Sequence, residues 1–115
     1  MYPFVCPFWK RNKAAYGFYE ASIFIERQQK FTKAEALDIG RSIGIDFKKI
    51  DPEQFRMGLE VELEHGTRFP QANVTNDDPI LTGKIAYAHL LEFPDYYTRL
   101  AEMEKAAKAY WGVKD

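Results

Sequence analysis

The chain has one cysteine, Cys6, so no disulfide can close within it, which suits a reducing compartment. Long hydrophobic runs are missing too: no apolar stretch approaches the roughly 20 residues that span a bilayer, so no membrane segment is expected. There is no excess charge of either sign. Sixteen basic residues against seventeen acidic ones leave a net charge of -1, which gives no footprint for nucleic acid or an anionic membrane. No phosphate loop, cofactor fingerprint or nucleophile beside a base is present, so no catalytic residue is assigned. The opening stretch Met1–Trp9 is apolar, but Pro3 and Pro7 break it and no basic leader precedes it. It makes a poor signal peptide, and a cytoplasmic protein is expected. Without that signal, the sequon Asn73-Val74-Thr75 reads as chance. Internal repeats and low-complexity tracts are absent as well.

What remains is a chain of 115 residues, 46% hydrophobic and 16% aromatic, enough for one domain with a real core. Residues 1–11 read as an extended aromatic arm, and residues 12–115 as a single helical domain. In the arm, Tyr2, Phe4, Phe8 and Trp9 surround two prolines, which fix φ and push the preceding residue to extended geometry. Such an arm either lies over its own domain or docks its aromatics on a partner or symmetry mate. Residues 12–29 carry two patterns. Phe18, Ala21, Ser22 and Ile25 recur at helical spacing, whereas Tyr19, Ala21, Ile23 and Ile25 alternate as in a strand. Length and the polar ending Glu26-Arg27-Gln28-Gln29-Lys30 favour helix.

The following elements are marked by their ends. Thr32-Lys33-Ala34-Glu35 is a capping box, with Ala36, Ile39, Gly40 and Ile43 at helical spacing and Gly44 placed as a C-terminal cap. Asp51-Pro52-Glu53 opens a second helix, expected to run to His65 and stop at Gly66. Residues 66–78 are turn-formers and predict the longest loop; its spacing does not fit a calcium-binding EF-hand. Asp78-Pro79 begins a third helix reaching about Phe93, and Pro94-Asp95 leads into a fourth ending near Trp111 before Gly112. On that last helix Tyr96, Leu100, Met103, Ala107 and Tyr110 form an apolar stripe. The pattern predicts an all-α fold, a small bundle of four to five helices with an extended aromatic N-terminal arm.

Histidine is scarce, and both copies sit in mirrored motifs. Glu62-Leu63-Glu64-His65 places a carboxylate and an imidazole three residues apart, and His89-Leu90-Leu91-Glu92 repeats the spacing in reverse. On a helix each pair shares one face. The inward face of the second helix is expected to be Phe55, Gly58, Leu59 and Glu62, and that of the third Leu81, Ile85, Ala88, His89 and Glu92. Glu62, His65, His89 and Glu92 are then expected to be buried together. Three readings follow. One is a buried hydrogen-bond network completed by tyrosine hydroxyls. Another is a site for a divalent transition metal (zinc, iron or manganese), because Glu-x-x-His is a unit of di-iron carboxylate bundles. The third is acid–base catalysis by a histidine–glutamate pair.

The run from Phe31 to Lys105 resembles an uncharacterised family of bacteria and tailed bacteriophages known as a domain of unknown function. The resemblance is carried by Met57-Gly58-Leu59-Glu60-Val61-Glu62-Leu63-Glu64-His65-Gly66 and by Asn73-Val74-Thr75-Asn76-Asp77-Asp78-Pro79. It continues in Lys84-Ile85-Ala86, Ala88-His89-Leu90, Glu92, Pro94-Asp95-Tyr96-Tyr97, Arg99-Leu100 and Met103-Glu104. It implies a compact helical domain, often phage-encoded, and no activity. The expected function is association without catalysis, with a protein partner or a second copy, as a virion or accessory component. The alternative is a metal-binding protein or metal-dependent enzyme built on Glu62, His65, His89 and Glu92.

Overall fold

The computed structural model describes residues 30–114. The expected arm and the stretch 12–29 lie outside the described residues. Four helices make up most of what is described: α1 Lys33–Ser42, α2 Pro52–Arg68, α3 Pro79–Glu92 and α4 Tyr96–Trp111, with a 3-10 turn at Pro70–Ala72. No strand occurs among the described residues. The domain is an all-α bundle, as the periodicity predicts.

Each helix is set by chemistry at its ends. Thr32 Oγ1 accepts from the Glu35 amide (3.1 Å) and Glu35 Oε1 accepts from the Thr32 amide (2.9 Å), closing the capping box that starts α1. At its other end the Gly44 and Ile45 amides donate to the carbonyls of Arg41 and Gly40, with Gly44 at φ +86°. That pair of bonds is a Schellman stop, and it needs a residue without Cβ at the left-handed position. Asp51 Oδ1 and Asp78 Oδ1 accept from the Glu53 and Ile80 amides (both 3.0 Å), each just before a proline in the first turn of α2 or α3.

Two ends depart from expectation. α2 does not stop at Gly66 but continues to Arg68. Gly66 is buried inside the helix, and a Cβ there would meet the Asn73 side chain at 2.9 Å. The glycine therefore admits the following loop instead of ending the helix. Asp95 offers no side-chain cap to α4 and pairs with Arg99 (2.9 Å). Its place is taken from across the bundle by buried Gln54, whose Oε1 accepts from the Tyr97 amide (3.1 Å) while Nε2 donates to Thr98 Oγ1 (2.6 Å).

α2 is the central helix and touches the other three; α3 also touches α1 and α4, while α1 and α4 do not meet. The core is Phe31, Ala36, Ile45, Phe55, Leu59, Leu63, Ala86, Leu90 and Tyr97, with Phe55 and Leu59 fully enclosed. Close approach of α2, α3 and α4 depends on Gly58, where a Cβ would lie 2.6 Å from the Tyr97 ring and 2.9 Å from Ala86 Cβ. On α3 the inward face is Thr82, Gly83, Ala86 and Leu90, and the expected face was misplaced: Leu81, Ala88 and Glu92 are exposed. The small residues decide it, because Gly83 admits Ile39 and Phe55 while Ala86 meets Gly58. Thr82 is tolerated at full burial because its hydroxyl donates to the Asp78 carbonyl (2.8 Å).

The α4 stripe is only half used. Tyr97 is buried, and Tyr96 and Leu100 are packed against the core. Met103, Tyr110 and Trp111 are exposed.

Candidate functional site

Glu62 lies one turn after Gly58 on the face of α2 that meets α4. At 11% exposure its side chain is the one well-buried member of the predicted quartet. Across from it, Tyr97 is anchored at the first turn of α4, where Gln54 holds its backbone and Gly58 makes room for its ring. The Tyr97 hydroxyl donates to Glu62 Oε1 at 2.7 Å, a charge-assisted bond between two elements thirty-five residues apart. Burial, the hydrogen bond and the carboxylate's negative charge push the Tyr97 phenol far above the ordinary tyrosine range. Tyr97 is consequently a fixed donor at neutral pH rather than a base.

The imidazoles gather around this pair without bonding to it. His89 Nε2 is 3.5 Å from Glu62 Oε1 and His65 Nδ1 is 3.7 Å from Glu62 Oε2, both beyond a good hydrogen bond. His89 is instead held by stacking: its ring lies 4.3 Å from that of Tyr96 with 10° between planes, and edge-on to Tyr97 at 6.1 Å. Tyr96 in turn meets Tyr97 edge-on at 4.9 Å. Burial, with the carboxylates of Glu62, Glu92 and Glu104 behind it, raises the Tyr96 phenol as well.

Burial of the whole quartet was expected, and two members depart from it. The His65 side chain is 50% exposed and that of Glu92 65%, the latter 3.9 Å from His89 Nδ1. Both lie at helix ends, past the point where the helices are in contact. The structure thus brings His65 and His89 around the Glu62 carboxylate and leaves Glu92 at the margin. Among the described residues no three His, Cys, Asp or Glu side chains are grouped to hold a metal ion. The expected partner-binding residues Tyr2, Phe4, Phe8 and Trp9 lie outside the described residues.

Two residues carry the centre without having been singled out as its core. Tyr97 was legible only as a neighbour, since it sits beside the Tyr96 stripe and not in it. Gln54 looked like part of a capping sequence. Its spacing to Gly58 places it on the inward face, and that was the available signal. In the loop before α3, Asn73 Oδ1 accepts from the Thr75 (3.2 Å) and Asn76 (2.9 Å) amides, and Asn73 Nδ2 donates to Asp77 Oδ1 (2.8 Å). Asn76 and Asp77 take left-handed backbone at φ 54° and 64°, which this residue type tolerates in turns.

A family model described as "Protein of unknown function (DUF5661)" matches residues 36–106, well over half of the chain. The chain belongs to the DUF5661 family. No curated protein and no solved structure matches it. The DUF5661 match runs from α1 into α4 and includes Gln54, Gly58, Glu62, His65, His89, Glu92 and Tyr97. Tyr110, Trp111 and Val113 lie beyond it. No described helix is long and apolar enough to cross a membrane.

Proposed function

We propose that the protein works by association, as an accessory or virion component of a phage or bacterium, and that the outer half of α4 pairs with a second copy. The observation that carries this reading is the stripe Tyr96, Leu100, Met103, Ala107, Tyr110. Its spacing alternates four and three residues, the repeat of a helix that seats a partner helix along its length. Its first two members are packed against the core, whereas Met103 is 56% and Tyr110 79% exposed. Trp111 and Val113 add to the same exposed end, with the Tyr110 and Trp111 rings edge-on at 5.1 Å. Lone exposed apolar residues are ordinary; a seam of them on one helix end marks a contact surface.

The Glu62–Tyr97 centre serves this function as a structural tie. It fixes α4 to α2 and so aims the outer half of the helix away from the core. The phage assignment rests on the resemblance of the motifs, and the seam supports association independently of it. Sedimentation of the full chain over a range of concentrations tests the reading. The wild type should form a dimer, and the Met103→Ser/Tyr110→Ser variant should sediment as a monomer with unchanged helical content. A wild-type monomer at every concentration would contradict it.

A further inference from the structure

Among the described residues, a groove of about 360 Å³ lies between α2 and α4, beside the outer seam. Val61, Leu100 and Ala101 give it apolar surface, and Glu60, Glu64 and Glu104 supply carboxylates. Its wall on α4 runs on into the exposed end of that helix. Glu104, Lys108 and Trp111 follow one another at spacings of four and three, which keeps them on one face. The seam by itself is short. From Met103 to Trp111 it extends roughly 12 Å and is one helix wide, about 10–12 Å. A strip of that size falls well short of the ~800 Å² that each partner buries in a stable complex. A second copy seated on the seam needs a further surface, and the groove adjoins it.

We propose that the second copy lies antiparallel on α4, so that Trp111 of each chain enters the groove between α2 and α4 of the other. This rests on the α4 pairing proposed above and adds its direction and its receiving site. Register is the first argument. Antiparallel helices that seat Met103 against Ala107 of the other copy also seat Leu100 against Tyr110. Every such contact then occurs twice, as two-fold symmetry requires. In that register Trp111 comes level with the groove, and its side chain is 74% exposed in its own domain. A parallel pair would instead set Trp111 beside Trp111. Each groove would then face the half of α4 that is already packed on its own core.

Charge is the second argument. Residues 105–115 carry Lys105, Lys108 and Lys114 against Asp115 alone. The groove is lined by the three glutamates and one lysine, Lys30. The end of α4 is therefore net positive and the groove net negative, by the same amount. Glu60 and Glu64 also face Arg56 and Arg68, so charge sets the direction of the pair and apolar contact holds it. Parallel helices would bring lysines beside lysines and glutamates beside glutamates.

A spin label read between two full-length copies tests the assignment. Both carry Cys6→Ser, which removes the native thiol. One, without isotope, bears the label at Ala101→Cys, an exposed position on the α4 wall of the groove. The other is isotope-labelled and has no probe. If Ala101→Cys loses the dispersed spectrum of the folded chain, Glu64→Cys, exposed on the α2 wall, carries the label instead. The two are mixed at a concentration where the wild type sediments as a dimer. Amide signals from Lys108 to Val113 and the Trp111 indole signal should then broaden most, and those from Thr98 to Glu104 less. A label at Asp38→Cys, exposed on α1, should leave both sets sharp. Strongest broadening from Thr98 to Glu104 would mean a parallel pair, overturning the proposal while the α4 pairing stands. A dimer whose α4 signals all stay sharp would overturn both, and so would a chain that sediments as a monomer at every concentration.

Discussion

The inner and outer halves of α4 carry one stripe and meet two different fates. In the inner half Tyr97 is 1% exposed, enclosed by Gly58, Gln54 and Glu62, while Tyr96 and Leu100 close over the core. In the outer half Met103 and Tyr110 keep the same helical spacing and are exposed, as is Trp111 beside them. The periodicity is continuous across the boundary; the neighbours are not. An apolar stripe states which face of a helix is to be covered, and the length of the helices packed beside it decides how much the same domain covers. Here the stripe outruns the described bundle, and the remainder is exposed.

The contrast can be broken from its inner side with the largest effects. Leu59→Ala removes a fully enclosed side chain at the centre of α2. It should lower stability by about 2–5 kcal/mol, measured by urea unfolding. A loss comparable to that of a surface site would mean the inner half is no more committed than the outer.

Tyr97→Phe comes next. It keeps the ring and takes the donor from Glu62, leaving a desolvated carboxylate, and should cost about 1–3 kcal/mol at neutral pH. It should also change the alkaline limb. The folded-state phenol ionises well above the unfolded value near pH 10, so above that pH the unfolded chain sheds a proton that the folded chain keeps. The stabilisation is therefore complete below about pH 10 and falls by about 1.4 kcal/mol per pH unit as pH rises beyond it. The phenylalanine variant should lose that share of the slope. An unchanged alkaline slope would detach Tyr97 from the tie between α2 and α4.

His89→Ala should cost less, about 0.5–1.5 kcal/mol, because what it removes is a stack on Tyr96 and not a hydrogen-bonded ion pair. Thermal unfolding of the wild type should be indifferent to chelator, in keeping with a centre that has no metal-holding group of three among the described residues. The smallest effect belongs to the outer half. Met103→Ser/Tyr110→Ser should change the unfolding free energy of the dilute chain by no more than about 0.5 kcal/mol, since neither side chain is enclosed.

The helix ends were the most legible part of the sequence, because caps are local. Thr32 with Glu35, Asp51 before Pro52, Asp78 before Pro79 and Gly44 all act where their residue types say they should. Misreadings came where a distant residue decides. Gly66 reads as a stop until Asn73 is seen packed against it, and Asp95 reads as a cap until Gln54 reaches the same helix from forty-three residues away. On α3 large apolar residues drew the expected face to Leu81 and Ile85, whereas Gly83 and Ala86 set the actual one by letting helices touch. At the site, spacing put each glutamate–histidine pair on one face but could not say how far along each helix the contact runs. Glu62 lies within the contact, and His65 and Glu92 lie past its ends.

Hydrogen exchange along α4, followed at two protein concentrations, tests most directly that one helix is divided between fold and association. Amides near Leu100 should exchange slowly at both concentrations, and those from Met103 to Tyr110 should become protected only at the higher one. Protection that is uniform along the helix and independent of concentration would contradict it.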